Sequence, residues 1–142
     1  MQDIIHGYLA DNVKIDKIAD YSAASTDTVT SSEPDMAGYD GVIFLTSVGS
    51  PATNNVLTMH HGAVSGSVAA SDAVTTPAAS DEDQVLDVQH PIYQYVKAVL
   101  TRGTSSTCEG IWAIRYKART KGIENETAGT QSVDKFDAPA SA

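Results

Sequence analysis

The feature that most constrains the fold is an alternation of side chains with a period of two, repeated over two neighbouring stretches. Tyr93–Thr101 places one set of residues on one face: Gln94, Val96, Ala98 and Leu100. The stretch that begins at Cys108 places Trp112, Ile114, Tyr116 and Ala118 on one face and Ala113, Arg115, Lys117 and Arg119 on the other. Successive side chains of an extended strand point to opposite faces. Because turn residues separate the two stretches at Arg102–Ser106, they are predicted to form a hairpin with a core face and a basic face.

Further strands are predicted from apolar runs that end at turn residues. The clearest is Val42–Val48, a continuous run closed by Gly-Ser-Pro, which predicts burial on both faces. Val56–Gly62 is predicted to pair back on it as a hairpin or near neighbour, and Gln84–Val88 is predicted as another strand. Asn12–Ile18 alternates and favours a strand, with a short helix as the alternative. Tyr21–Ser32 is rich in Ser and Thr and could pair as an edge strand.

Several short strands separated by turns predict an all-β chain that forms an antiparallel β-sandwich or barrel-like domain with long loops. The length of 142 residues fits one domain, over residues 1–121. Residues 63–83 are small and polar and predict a long surface excursion, with a short helix near Val68–Val74 as an option. Residues 122–142 have little to bury and are predicted to form an extended C-terminal arm, whose simplest holder is a neighbouring subunit.

The charge of the chain is strongly acidic and unevenly placed. The formal net charge is −9. From Met1 to Ile92 the chain has two basic residues and thirteen acidic ones. From Tyr93 to Gly122 it has six basic residues and one acidic residue, Glu109. An acidic chain is repelled by phosphate, so nucleic acid is not an expected partner. No apolar run approaches the ~20 residues of a membrane-spanning helix, and no signal peptide is recognised, so no membrane partner is expected and a cytoplasm is the predicted place of assembly.

Residues capable of catalysis or metal binding do not form a recognisable motif. His60 and His61 are adjacent on a predicted strand, so their side chains point to opposite faces and cannot hold one ion. Cys108, the one cysteine, has no histidine near it in sequence and none of the local signatures of cysteine enzymes. A Gly-x-Ser-x-Gly elbow and a phosphate-binding glycine loop are also missing. The sequence therefore predicts a protein that is not an enzyme and has no cofactor or metal.

A row of four basic residues, Arg115, Lys117, Arg119 and Lys121, is the strongest candidate for a binding surface. Residues spaced by two stand ~6.5–7 Å apart along a strand, and such a row favours an acidic partner. The acidic part of the chain itself could supply that partner, within one subunit or between subunits. The alternative is that one sheet surface is simply basic and solvated. The predicted partner-binding residues are Lys97, Arg102, Arg115, Lys117, Arg119 and Lys121.

A family resemblance covers roughly Met36 to Lys121. It begins with the stretch Met36–Phe44. The later segments then follow in a fixed order: a valine-rich strand and a proline (Asp87–Pro91), an aromatic strand (Tyr95-Val96), an Arg-Gly-Thr turn (Thr101–Thr104) and a strand that ends in Tyr and basic residues (Ala113–Arg119). This order resembles small phage proteins encoded beside the major capsid protein, the capsid cement or decoration (minor head) proteins of tailed bacteriophages. The resemblance implies a β domain that sits on the shell and ties neighbouring capsomers together.

The expected function is therefore that of a structural virion protein. Such a protein binds the outside of a phage capsid and stabilises contacts between major capsid protein subunits, itself as a small homo-oligomer, a trimer or dimer. Its expected location is the capsid surface of the virion, after assembly in the host cytoplasm. Two alternatives stay open. One is a head-tail connector or tail component of the same virion, and the other is a carbohydrate-binding β-sandwich module that uses Tyr93 and Tyr95.

Overall fold

The predicted all-β sandwich is confirmed: antiparallel sheets pack together, with their strands in the order given below. A computed structural model describes residues 8–49, 52–119 and 122–136, with the backbone alone for residues 69–72. The strands are β1 (Lys14–Ala19), β2 (Ser22–Ser25), β3 (Val29–Thr30), β4 (Gly41–Val48), β5 (Val56–Gly62), β6 (Ala69–Thr75), β7 (Gln84–Gln89), β8 (Tyr95–Thr101) and β9 (Ser106–Tyr116). A single 3₁₀ turn, Leu9–Asp11, precedes β1 in the described part. Within those residues no helix is long and apolar enough to cross a membrane.

Two sheets divide the strands between them. Sheet 1 has the order β1-β9-β4-β7, with β2 also paired to β9, and sheet 2 has the order β3-β8-β5-β6. Side chains from both inner faces fill the core, and the largest fully buried ones include Phe44, Leu57, Met59, Leu100 and Ile111. Burial of one such side chain contributes about 1.5–3 kcal/mol. The alternation predicted for Tyr93–Thr101 is confirmed over Tyr95–Thr101, where Val96, Ala98 and Leu100 are all buried in this core; Tyr93 and Gln94 precede the strand.

The two predicted hairpins are wrong, since in each case the second strand belongs to the opposite sheet. β8 pairs with β3 and β5, whereas β9 pairs with β1, β2 and β4. In the same way β4 lies in sheet 1 and β5 in sheet 2. Each of these strands has an apolar face to bury, and crossing between the sheets lets consecutive strands bury those faces against each other. Turn residues therefore indicated correctly where these strands end, but they did not indicate which strands pair with each other.

The faces predicted for β9 are also reversed. Cys108, Ile111 and Ala113 are buried, whereas Trp112 points outward. The cause is a β-bulge: Thr46 pairs with Ile111 and Val48 with Cys108, so β9 has one residue more than β4 over this interval. The bulge lies at Glu109–Gly110, where Gly110 has a φ of +113° that favours glycine. One extra residue changes which side chains face inward along the rest of the strand.

One segment that was predicted to be a surface excursion contains a strand. Ala69–Thr75 forms β6, which pairs with β5 at the edge of sheet 2, in place of the surface excursion or short helix predicted there. Small polar residues suit an edge strand, because only one of its sides pairs and its exposed face needs no apolar side chains.

The C-terminal segment packs against its own chain, as far as residue 135. The Ile15 N–H donates to Oδ1 of Asn125 (2.6 Å), and the Ile15 carbonyl accepts from Nε2 of Gln131 (2.8 Å). Asp11 accepts hydrogen bonds from the Ile123 N–H (2.9 Å) and from Lys135 Nζ (2.6 Å). The described part of the predicted arm is therefore held by β1 and the turn before it, where a neighbouring subunit was expected; residues 137–142 lie outside the described residues. These contacts also occupy backbone groups on the edge of β1.

Candidate protein-binding face

The outer face of sheet 1 carries two rows of apolar side chains. Strand pairing aligns Ile15, Ile114 and Ile43 in one row, which ends at Asp87 on β7. It aligns Trp112, Leu45 and Val85 in the next row, which ends at Lys17 on β1. We call these six residues the apolar face. The prediction that Val42–Val48 is buried on both sides is wrong, because Ile43 and Leu45 belong to this face and are only half-buried.

Trp112 has a groove on each side. Toward β7, a groove of about 290 Å³ is lined by Leu45, Val85 and Trp112, among others. Toward the C-terminal segment, a groove of about 310 Å³ is lined by Ile15, Trp112 and Val133, among others. Trp112 is 38% exposed and Val85 61%. A partly exposed indole between two shallow grooves is a typical anchor of a protein interface.

The rim of the apolar face is acidic on the β7 side. Asp83 and Glu109 line the groove beside Val85. At the end of the face, the Tyr116 ring lies against Gly41, where a Cβ atom would collide with it, and the Tyr116 hydroxyl donates to Asp87. Desolvation is the larger cause and this hydrogen bond the next; together they raise the pKa of Tyr116 to about 12.

The outer face of sheet 2 has a different character. It presents mainly polar side chains, and Thr58 and Thr75 hydrogen-bond through their hydroxyl oxygens at 3.2 Å. His60 pairs with Lys97 across the strands. Partial burial, together with the charges of Lys97 and His61, lowers the pKa of His60, which favours the neutral imidazole. Over the side chains that the structure describes, the outer face of sheet 1 is therefore more apolar than that of sheet 2.

Arg102 lies in the interior and not on a binding surface, with 5% exposure. Its guanidinium donates to the carbonyl oxygens of Asp27 (2.7 Å), Ala23 (3.0 Å) and Ser106 (2.7 Å), and to Ser22 Oγ (3.2 Å). These bonds join the β2–β3 segment to the crossing between β8 and β9. The prediction that Arg102 binds a partner is therefore wrong, because its donors are used inside the chain.

Arg115 is also engaged within the chain. Its Nη2 donates to Asp16 Oδ2 at 2.6 Å and its Nη1 to the Asp35 carbonyl at 2.5 Å, and its guanidinium lies 5.1 Å from the Tyr39 ring centroid. The predicted row of four basic residues on one strand does not form, because β9 ends at Tyr116. Lys117 follows it in a left-handed conformation, with φ of +54°.

The other predicted partner-binding residues remain at the surface where they are described. Lys97 is half-buried on the outer face of sheet 2, and Lys117 is exposed. Arg119 is exposed and donates to Asp40 Oδ1 at 2.7 Å. Lys121 lies outside the described residues. The structure thus leaves Lys97, Lys117 and Arg119 as accessible members of the predicted basic set.

The apolar face was missed in the sequence because Trp112 and Ile114 were assigned to the core. The signal that could have found it is Gly110, since an isolated glycine inside a strand pattern indicates a bulge. A bulge there predicts the observed exchange of faces.

Residues considered for metal binding or catalysis are separated by the fold. His60 points to the outer face of sheet 2 and His61 into the core, so the prediction that they face opposite ways is confirmed. Across the residues that the structure describes, no group of three or more His, Cys, Asp or Glu side chains could hold a metal ion. Cys108 is buried, with its Sγ 3.5 Å from Thr46 Oγ1, in the packing position expected for it.

His61 presents an unusual core position that can be tested directly. It is 4% exposed, neither ring nitrogen has a hydrogen-bond partner, and its ring meets Tyr93 edge-on at 4.9 Å. Because an unpaired buried polar group costs free energy, His61→Leu is expected to leave the free energy of unfolding unchanged or to raise it by about 1 kcal/mol. Urea denaturation at pH 7 measures this. A loss above roughly 2 kcal/mol would mean that the imidazole makes a stabilising contact that Leu cannot replace.

Comparison with protein-family models and with curated proteins finds no match for this chain. Among solved structures, it is similar to a chain from the Bacillus endospore appendages, described as a novel family of disulfide-linked pili. The two are 14% identical, the match covers 82% of this chain and 96% of that chain, and the TM-score is 0.46.

Proposed function

We propose that this chain is a structural virion protein that binds the outside of a phage capsid and stabilises contacts between major capsid protein subunits, as a cement or decoration protein. The observation that carries the proposal is the apolar face of sheet 1. The family resemblance of Met36–Lys121 supplies the identity of the partner, and the apolar face supplies a surface suited to binding it.

A protein neighbour explains the difference between the two outer faces. A contiguous apolar surface on a small acidic domain costs free energy in water and is typical of an interaction site. Trp112 and Val85 would enter the partner's surface as anchors, with the grooves beside Trp112 receiving apolar side chains in return. Asp83 and Glu109 favour basic residues on the partner beside that contact.

Repetition would make such a contact effective even if each copy bound weakly. A shell presents the same site many times, and a small closed oligomer of this chain would bind several sites at once, so that the affinities multiply. Lys117, which directly follows β9, would then act at the rim of the contact, where charge steers association more than it adds affinity.

The first test removes both anchors. The double substitution Trp112→Ser and Val85→Ser is expected to lower the affinity for purified capsids at least tenfold, because each lost burial is worth about 1.5–3 kcal/mol and a tenfold change in affinity corresponds to about 1.4 kcal/mol. Occupancy is measured by co-sedimentation at physiological salt, and circular dichroism checks that the variant is folded.

Val64→Ser provides the matched control, since Val64 is 62% exposed but lies in the loop before β6, away from sheet 1. It should bind like the unchanged protein. Full occupancy by a folded double variant would contradict the use of the apolar face. Copy number in the particle tests the assignment separately, because a cement protein is present throughout the shell whereas a connector occupies a single vertex.

A further inference from the structure

A second surface, separate from the apolar face, lies where two loops meet. The loop before β4 and the loop between β7 and β8 enclose an open cleft of about 400 Å³, together with Arg119. Its lining includes Asp40, Ile92, Tyr93 and Gln94, and none of the six residues of the apolar face. The volume is within the ordinary range of small-molecule sites.

Backbone hydrogen bonds hold the walls of this cleft together. The Met36 N–H donates to the Gln94 carbonyl (2.7 Å), and the His90 N–H donates to the Asp40 carbonyl (2.7 Å). The Arg119 N–H donates to the Gly38 carbonyl at 2.9 Å, which fixes the chain after β9 against the first loop. A cleft with walls tied to each other in this way is formed before any ligand arrives, which lowers the entropic cost of binding.

The polar groups of the cleft form a pair that can both donate and accept. Arg119 Nη2 donates to Asp40 Oδ1 at 2.7 Å, and both side chains remain accessible to solvent. The hydrogen bond from Arg119 lowers the pKa of Asp40, so its carboxylate is ionised at neutral pH. A guanidinium carries five N–H donors and a carboxylate accepts several hydrogen bonds, so one contact between them leaves capacity for a ligand. Adjacent hydroxyl groups, each a donor and an acceptor, match this arrangement.

The apolar groups of the cleft lie beside that pair. Tyr93 is 39% exposed, and its ring is supported edge-on by buried His61. Ile92 is largely exposed next to it. An aromatic ring that is fixed from behind and open in front provides a flat surface for the C–H face of a ring-shaped ligand, while its hydroxyl remains available for hydrogen bonding.

We propose that this cleft binds a neutral saccharide, with one sugar ring packed against Tyr93 and two adjacent hydroxyl groups bonded to Asp40 and Arg119. A sugar ring combines an apolar face with a rim of hydroxyl groups, which is the combination that the cleft presents. The carboxylate of Asp40 and the net charge of −9 oppose a strongly anionic ligand. Of the two tyrosines considered in the sequence, Tyr93 lines the cleft and Tyr95 does not. This activity is independent of the capsid-binding proposal.

The test uses saturation-transfer NMR on the full chain with the methyl glycosides of glucose, galactose, mannose and N-acetylglucosamine, and with sialic acid as an acidic comparison. At least one neutral glycoside is expected to bind, and Tyr93→Ala and Arg119→Gln are each expected to weaken that binding at least tenfold. Arg119 is exposed, so its variant keeps the proposal testable if Tyr93→Ala does not fold. Tyr21→Ala, which removes an exposed tyrosine outside the cleft, should bind normally.

Three results would overturn the proposal. They are no binding of any neutral glycoside at millimolar concentration, binding that both cleft variants leave unchanged, and binding of sialic acid alone. The last would identify a site for carboxylates on Arg119. Capsid occupancy is measured separately, so a failure here leaves the capsid proposal to its own test.

Discussion

Arg102→Met is expected to lower the free energy of unfolding by about 3 kcal/mol or more, which is a large part of the stability of a domain this size. The substitution keeps an unbranched apolar stem but removes every donor. The carbonyl oxygens of Ala23, Asp27 and Ser106 would then lose a charged partner, and a buried acceptor left without one costs about 1–3 kcal/mol. Urea denaturation followed by tryptophan fluorescence measures the change.

Two further substitutions separate the role of the guanidinium hydrogen bonds from the roles of side-chain size and charge. Arg102→Lys retains the charge, but an ammonium group cannot donate to three carbonyls in the geometry of a guanidinium, so it should recover only part of the loss. Arg119→Met removes an exposed arginine of the same size and should shift the denaturation midpoint little. If Arg102→Met and Arg119→Met had equally small effects, the interior hydrogen bonds of Arg102 would not be contributing to stability.

The position of Arg102 illustrates what the sequence could and could not predict. Strands were found where apolar alternation ended at turn residues, as at Gln84–Val88 and Tyr93–Thr101, because that pattern is local. Pairing depends on which strand lies opposite, and an Arg-Gly-Thr turn is compatible both with a hairpin and with a crossing between sheets. The crossing brings Gly103 so close to the Thr53 carbonyl oxygen that a Cβ atom on residue 103 would lie 2.0 Å from it. This contact is with a loop distant in sequence, so the local pattern around Gly103 could not predict it.

The sequence did not predict the apolar face because of one extra residue in β9, at the bulge beside Gly110. The alternation after Cys108 was correct in its period, but the bulge at Gly110 exchanged the two faces, so that Ala113 and not Trp112 lies opposite Phe44. Size was a misleading guide, because a large Phe44 in the core leaves room only for a small neighbour. Local pattern therefore established the alternation of side chains along β9, whereas the bulge determined which of the two sets is exposed.

The second large effect is expected at Asn125, which holds the C-terminal segment on β1. Its buried amide accepts from the Ile15 N–H and donates to the carbonyls of Ala10 and Val13, both at 2.7 Å. Asn125→Leu removes all three bonds and should lower the free energy of unfolding by about 2–3 kcal/mol. Because the contacts tie down one segment, hydrogen exchange at the Ile15 amide should accelerate more than exchange in the core strand β4.

Asn125→Asp gives a sharper form of the same test. It keeps the acceptor for Ile15 but places a carboxylate oxygen against two carbonyls, so the pKa of the new carboxyl group should be raised in the folded state. The destabilisation is then full above that raised pKa and becomes smaller as the pH falls through it, since protonation restores one donor. Ser132→Ala, in the same segment but outside these three hydrogen bonds, should show neither the loss nor the pH dependence. Unchanged protection of Ile15 in both Asn125 variants would mean that the arm is held by something other than its own β1.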